Sequence, residues 1–451
     1  MSLAGPQPVS TNPIARLASD LRAERAASVP FPPGETNLSA RRTRRMLRDP
    51  LGLLLESYGR YGPIFTLRVF HGRVVFMLGP EANHYVTVSH AQNFSWRDGH
   101  MGDLIPLLGD GLLTIDGEFH RRSRKIMLPA FHRERIDAAS AVMHEEVEAE
   151  VGRWRAADEF GLYHSTRRLA LRIAMRALFG FHPEIAAGRA DAADEFEHAL
   201  GFWSRDYLLQ IMRGPGSPFS RMQRARLALD ELIYAEIDRR RASGERGDDI
   251  LSLLLDASDE DGSHLSKAQI RDEVMTLLFA GHDTTTSTVA FLFYELARAP
   301  EWADRAASDS DALEQCIDET LRLYPPAWIG PRRAVSDFEF AGHTVPAGAF
   351  VNYCSWASHR LPDVWDEPHA FRPERFAPGA REEIPKGAYV PFGGGSRTCI
   401  GMRFGQQEIR VIAGRVLRHF RLEVSAGYRL RIRQMPTIGP QDGLPVRVRA
   451  A

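Results

Sequence analysis

The chain has 451 residues, with 57 Lys and Arg against 58 Asp and Glu for a formal net charge of -1; 44% of its residues are hydrophobic and 25% charged. That composition is globular and excludes a disordered or collagen-like chain, while the balanced charge excludes a dedicated nucleic-acid binder or a polybasic membrane protein, which need a positive field. Three cysteines, Cys316, Cys354 and Cys399, are too few and too scattered for a disulfide framework or a zinc cluster.

In chain order, residues 1–35 read as a lead-in without a fold of its own, stiffened by Val29-Pro30-Phe31-Pro32-Pro33-Gly34. Residues 36–451 read as one domain, because no repeat period or low-complexity linker interrupts them. The start holds no apolar run of the signal-peptide kind, and no stretch approaches the roughly 20 apolar residues that span a bilayer. A soluble, cytoplasmic protein with reduced thiols and no transmembrane anchor is expected. Arg41, Arg42, Arg44, Arg45 and Arg48 form a basic cluster, read as a solvated helix face in preference to a lipid-facing one.

Ile64–Val69 and Arg73–Leu78 are β-rich runs around His71-Gly72 and predict a hairpin. From there to about Ala299 the pattern is helical. One segment, Ser266 to Ala299, is about three times the mean helix length. Being apolar through its middle, it must cross the interior. Beyond Pro325-Pro326 come short strands at Phe338–Phe340 and Phe350–Tyr353, then a Pro- and aromatic-rich meander from Asp363 to Pro391. A periodic helix follows, with Met402, Ile409, Ile412, Val416 and Phe420 on one face. The fold class is mainly α with a smaller β portion.

The segment Phe392-Gly393-Gly394-Gly395-Ser396-Arg397-Thr398-Cys399-Ile400-Gly401 carries the densest chemistry. Consecutive glycines let the backbone approach a flat ligand and take up positive φ. Cys399 stands at the opening of a helix, where free N–H groups and the dipole favour a thiolate. Arg397 offers a donor fork to a carboxylate. A thiolate beside a carboxylate anchor suits haem, which needs an axial iron ligand and a partner for a propionate. A phosphate-cradling loop fails because no Lys-Ser or Lys-Thr follows the glycines. A plain core cysteine leaves the neighbours at these offsets unexplained.

At these residues the sequence resembles the haem-thiolate cytochrome P-450 superfamily, bacterial members in particular. The signature Phe-x-x-Gly-x-Arg-x-Cys-x-Gly is met at Phe392, Gly395, Arg397, Cys399 and Gly401. Inside the long segment, Ala280-Gly281-His282-Asp283-Thr284-Thr285 pairs a helix-weakening glycine with a hydroxyl, Thr284, able to capture the Ala280 carbonyl and open the ladder. It resembles the family's oxygen-binding helix motif. By that resemblance Thr284 supports the reduced oxygen species and Asp283 relays protons as a general acid.

Glu319 and Arg322, three residues apart, taken alone are a surface pair worth about 0.2–0.5 kcal/mol. In the family such a pair is buried and completed from the meander, where Phe371-Arg372-Pro373-Glu374-Arg375-Phe376 nominates Arg375; the resulting triad is structural. His120-Arg121-Arg122-Ser123-Arg124 resembles the helix that grips a haem propionate, with His120 where a Trp often stands and Arg124 one turn on. Arg332 is the third propionate candidate and Arg333 its close rival.

The resemblance implies a single domain of the cytochrome P-450 fold holding haem b. Cys399 would be the axial iron ligand, and Phe392, Ala280, Arg397, His120, Arg124 and Arg332 would contact the cofactor. The implied activity is a monooxygenase using O2 on an apolar small molecule of the fatty acid, terpenoid or steroid class. Thr276, Phe279, Trp328, Ile329 and the stretch Met435 to Thr437 are its candidate pocket walls, and Met101 to Leu108 a candidate lid. Electrons are expected from a separate ferredoxin or flavodoxin with its reductase, docking on Arg121, Arg122, Arg124, Lys125, Arg403 and Arg410 by charge complementarity; a monomer is expected. Cys316 and Cys354 are read as packing residues. Two other classes weigh less. A peroxide-using or isomerising haem-thiolate enzyme conflicts with the intact Asp283-Thr284 pair, and a non-catalytic haem-binding or gas-sensing protein would carry a signalling or DNA-binding segment that is not seen.

Overall fold

The long helix forms at Lys267–Leu296, shorter than the pattern predicts at both ends. Ser266 and Gln269 close a reciprocal capping box that satisfies two of the free amides at its start. The structure is a computed structural model describing residues 6, 9–181, 192–203, 205, 207–257 and 264–451. Through the main hydrophobic core the long helix packs on helices Leu162–Ile173, Pro218–Ser243, Ser310–Leu323 and Met402–His419. Burial on nearly all sides explains why its sequence is apolar without a clean stripe.

The β portion is mainly one six-stranded sheet. Ile64–Val69 and Gly72–Met77 pair antiparallel with Val69 opposite Gly72, as the hairpin pattern predicts. Phe350–Tyr353 joins parallel to the second strand, with Val74 opposite Phe350. Gly330–Ala334 pairs antiparallel to it, and Phe94–Ser95 completes that edge. The mainly α architecture with a smaller sheet portion is the fold class expected. Among the described residues no helix is long and apolar enough to cross a membrane.

The segment read as a lead-in is tied into the rest of the chain. Helix Pro13–Arg25 buries none of its residues, yet Arg16 pairs with Asp103, Asp20 with Arg333 at 2.5 Å, and Glu24 with Arg68 and Arg73. Gly34–Glu35 is the outer strand of the large sheet, parallel to Ile64–Val69, so the boundary placed at residue 35 falls at a strand. In helix Ala40–Arg48 the basic cluster divides. Arg42 is buried against Glu35 and the Arg68 carbonyl and Arg45 pairs with Glu56, while Arg41, Arg44 and Arg48 are exposed.

Candidate functional site

A cavity of about 2550 Å³ lies between the middle of the long helix and the cysteine loop. The loop closes on itself where the Cys399 amide donates to the Phe392 carbonyl at 2.9 Å. Gly395, at φ +63°, lies so close to the Thr87 carbonyl that a Cβ there would be 2.3 Å from its oxygen. Only glycine fits that position. Helix Met402–His419 starts three residues after Cys399, with Gly401 as its cap. The Cys399 thiol opens onto the cavity.

Burial pushes the Cys399 thiol up, and the opposing pull of the Gly401 amide and the Arg124 charge does not overcome it. A cation bound at sulfur would favour the thiolate.

Across the cavity, the Thr284 hydroxyl donates to the Ala280 carbonyl at 2.7 Å, and both residues line the space. Asp283 is 1% exposed and is not among the cavity-lining residues. Its two oxygens accept from Tyr163 at 2.8 Å and Thr437 at 2.5 Å, with Arg167 at 3.6 Å and Arg433 at 3.8 Å. Burial pushes this carboxyl up, but the two guanidinium groups and the Thr437 hydroxyl outweigh it and hold it below the usual range. Asp283 is thus an anion at neutral pH, so a general-acid role requires it first to take up a proton.

The sequence reading missed a second carboxyl. Glu408 of helix Met402–His419 accepts from Thr285 at 3.1 Å, its other oxygen has no partner, and burial pushes it up to about 8. Both residues line the cavity.

At the other rim, His120, Arg124, Arg332 and Arg397 all line the cavity. Burial holds the His120 imidazole down at about 3, so it is neutral. Arg397 is engaged by Asp116 at 2.7 Å and the Ile115 carbonyl at 2.7 Å, and burial brings its guanidinium down to about 10. Arg332 is 2% exposed, and among the described residues no carboxylate pairs with it. Arg333, on the opposite face of the strand, bonds Asp20, the Asp98 carbonyl and the Gly348 carbonyl, and is not itself among the cavity-lining residues. Of the two rivals, Arg332 lines the cavity and Arg333 does not.

Thr276, Phe279, Trp328, Ile329, Met435 and Phe392 line the same cavity, as does Met101 of the lid segment. Met435 is 44% exposed, at the cavity's open side. The Glu319–Arg322 pair is fully buried at 2.7 Å, and Arg375 approaches Glu319 to 3.5 Å. Arg322 also donates to the His359, Pro368 and Ala370 carbonyls, pinning the meander. Cys316 and Cys354 are buried. In the basic surface, Arg121 and Arg410 are paired with Glu118 and Glu314, while Lys125 and Arg403 stand exposed.

A thiol open to the cavity, a threonine hydroxyl bonded to the Ala280 carbonyl on the facing helix, which runs unbroken through that turn, and at the rim a buried guanidinium without a carboxylate partner suit haem: a planar group with an iron centre and anionic side groups. The family model described as Cytochrome P450 matches residues 42–439. The chain is 30% identical over 429 residues to the putative cytochrome P450 139 of Mycobacterium tuberculosis, covering 89% of this chain and 99% of that protein. It is 32% identical to the cyclooctatin synthase of Streptomyces melanosporofaciens, covering 89% and 92%. Among solved structures, the retinoic acid bound cyanobacterial CYP120A1 aligns with a TM-score of 0.83 at 29% identity, over 94% of this chain and 100% of that one.

Proposed function

The chain belongs to the cytochrome P450 family, haem-b monooxygenases that use O2 and a redox partner, and on that premise we propose that it oxygenates an apolar small molecule of the fatty acid, terpenoid or steroid class. The carrying observation is the Cys399 thiol sharing one cavity with the Thr284 hydroxyl, which is bonded to the Ala280 carbonyl. A terpenoid-class substrate is further supported by the relative named cyclooctatin synthase and the similar structure that holds retinoic acid.

In this reading Cys399 would hold the iron, Phe392 and Ala280 would contact the cofactor, and His120, Arg124, Arg332 and Arg397 would receive its carboxylates. Bound haem supplies dioxygen activation, which thiolate ligation favours, and transfer of one oxygen atom to substrate. The chain's own residues orient and protonate. Thr284 presents a hydroxyl at the cavity wall. Asp283 faces away, so a proton carried through it requires the Tyr163 and Thr437 bonds to exchange. Trp328, whose indole donates to the Gln434 carbonyl at 2.9 Å, and Phe279 form apolar walls for the substrate.

The ligand assignment is tested by Cys399→Ser, expected to lose the thiolate-type red-shifted carbon monoxide band; an unchanged band overturns it. Titration with a panel of fatty acids, terpenes and steroids, scored by the Soret shift, tests the substrate class; silence across the panel counts against it. A separate acidic ferredoxin or flavodoxin would dock by charge on the surface carrying Lys125 and Arg403. Rising salt should then slow first-electron transfer, and salt independence argues against that docking.

A further inference from the structure

Trp96 belongs to no motif, yet it stands among the candidate propionate anchors. It follows the short strand Phe94–Ser95 and lines the cavity. The Arg332 guanidinium lies 3.6 Å from the centroid of its ring, and that of Arg397 lies 4.9 Å away. The indole is itself held in place. Asp116 accepts from the Trp96 amide at 3.1 Å, the Arg97 amide at 3.0 Å and the Ser95 hydroxyl at 2.7 Å, and also from Arg397 at 2.7 Å. Gly99, in the same loop, packs so closely that a Cβ there would be 3.0 Å from the Arg332 Cα.

Two like charges that share one aromatic ring oppose each other. Asp116 pairs directly with Arg397 and reaches Arg332 only as a more distant charge; besides the indole, Arg332 has the Pro331 carbonyl at 2.8 Å and Tyr353, whose ring centroid lies 5.4 Å from the guanidinium. A desolvated guanidinium over an indole face is attracted by the ring quadrupole with about 2 kcal/mol or more. Of the two aromatic rings at Arg332 the indole is the nearer, at 3.6 Å against 5.4 Å, and it is the one Arg332 shares with Arg397.

We propose that Trp96 is a positioning residue for the carboxylate edge of the haem: one indole carries Arg332 and Arg397 and aims both at the propionates. This rests on the haem-thiolate reading above. Trp96 touches the arginines and acts through them, so it governs how firmly haem is kept and how much positive charge the ring feels.

The test reads haem transfer from the holoprotein to excess apomyoglobin, together with the ferric/ferrous midpoint potential. Trp96→Leu is expected to speed haem loss roughly tenfold to thirtyfold and to move the potential negative, as the guanidinium groups drift from the ring. Trp96→Phe, which keeps an aromatic face, stays close to wild type in both. In an Arg332→Gln background, Trp96→Leu adds much less than it does alone, because the group it positions is gone. Unchanged haem loss and potential in Trp96→Leu overturn the proposal, as does an equally large effect in the Arg332→Gln background, the mark of mere packing. Should the Leu variant not accumulate, Trp96→Met against Trp96→Phe reads the same contrast, and equal loss rates overturn it. Failure of the haem-thiolate reading shows separately, as a wild-type holoprotein without the thiolate-type carbon monoxide band.

Discussion

Thr437 donates its hydroxyl to Asp283 at 2.5 Å, joining the hairpin Ile432–Arg433 and Gly439–Pro440 to the middle of the long helix. The link is reinforced: Ser287 donates to the Ile438 carbonyl at 2.5 Å, and Arg433 to the Tyr163 hydroxyl at 2.7 Å, which in turn donates to Asp283. Thr437 and Arg433 also line the cavity. The turn that meets substrate in the proposed function and the carboxylate next to Thr284 in the long helix therefore belong to one hydrogen-bonded unit.

Replacing Thr437 with Val leaves Asp283 buried with one bond fewer, at a cost of roughly 1–3 kcal/mol. The sign with pH follows from the lowered folded-state value. The stability Asp283 contributes is present above the ordinary carboxylate value and is lost as pH falls through the depressed one. Thr437→Val raises that folded value, so the acid limb of the stability curve moves to higher pH. Urea unfolding at neutral and progressively acid pH measures it; coincident acid limbs would show that Thr437 does not hold the carboxylate.

Glu319→Gln strands the guanidinium of Arg322, which is 0% exposed. Breaking a buried pair from one side costs about 3–5 kcal/mol. By contrast Glu423→Gln breaks an exposed pair with Arg449 and costs about 0–1 kcal/mol. Because Arg322 also holds two meander carbonyls, those of Pro368 and Ala370, Glu319→Gln should lower haem content as well as the urea midpoint. Equal midpoints for the two variants would remove the buried pair from its structural role.

Arg332→Gln and Arg333→Gln test the rim. Arg332 faces the cavity and Arg333 is committed to Asp20 and two carbonyls. The first substitution should weaken haem retention about tenfold or more, since a charged hydrogen bond is worth about 1.5–3 kcal/mol. The second should act on stability alone, by loosening helix Pro13–Arg25. Haem transfer rates for the two variants decide it, and a faster loss from Arg333→Gln would reverse the assignment.

What was legible in the sequence is what local pattern or a motif carries. The hairpin was placed within a residue, because alternation and β-branching act along the strand itself. Gly330–Ala334 was missed: Gly, Pro and two arginines carry no strand signal, and the segment is a strand only because Phe350–Tyr353 and Phe94–Ser95 pair with it. The same division runs through the site. Cys399 and Thr284 sit in motifs, and Thr437 in a stretch the resemblance nominates for the pocket, whereas Tyr163 and Trp96 are single residues brought in by packing, with nothing local to mark them. Glu408 alone had a readable signal, a carboxyl on the buried face of its helix beside Phe404, Ile409 and Ile412.

Glu408 supplies the remaining pH prediction. Its folded-state carboxyl sits at about 8 against an ordinary value of 4.5, because burial penalises the anion more than the Thr285 hydroxyl favours it. Between those values the folded protein keeps a proton that the unfolded chain releases. Stability therefore falls as pH rises through that interval, is unaffected below it and levels off above. Across the whole interval the loss amounts to a few kcal/mol. Glu408→Gln keeps the shape and the Thr285 contact but never ionises, so this component of the pH dependence vanishes. In urea unfolding the variant should gain on wild type by a few kcal/mol between about pH 5 and about pH 8. A difference between the two that stays constant over that range would mean that Glu408 is already ionised in the folded protein, and that its unpartnered oxygen is satisfied in solution.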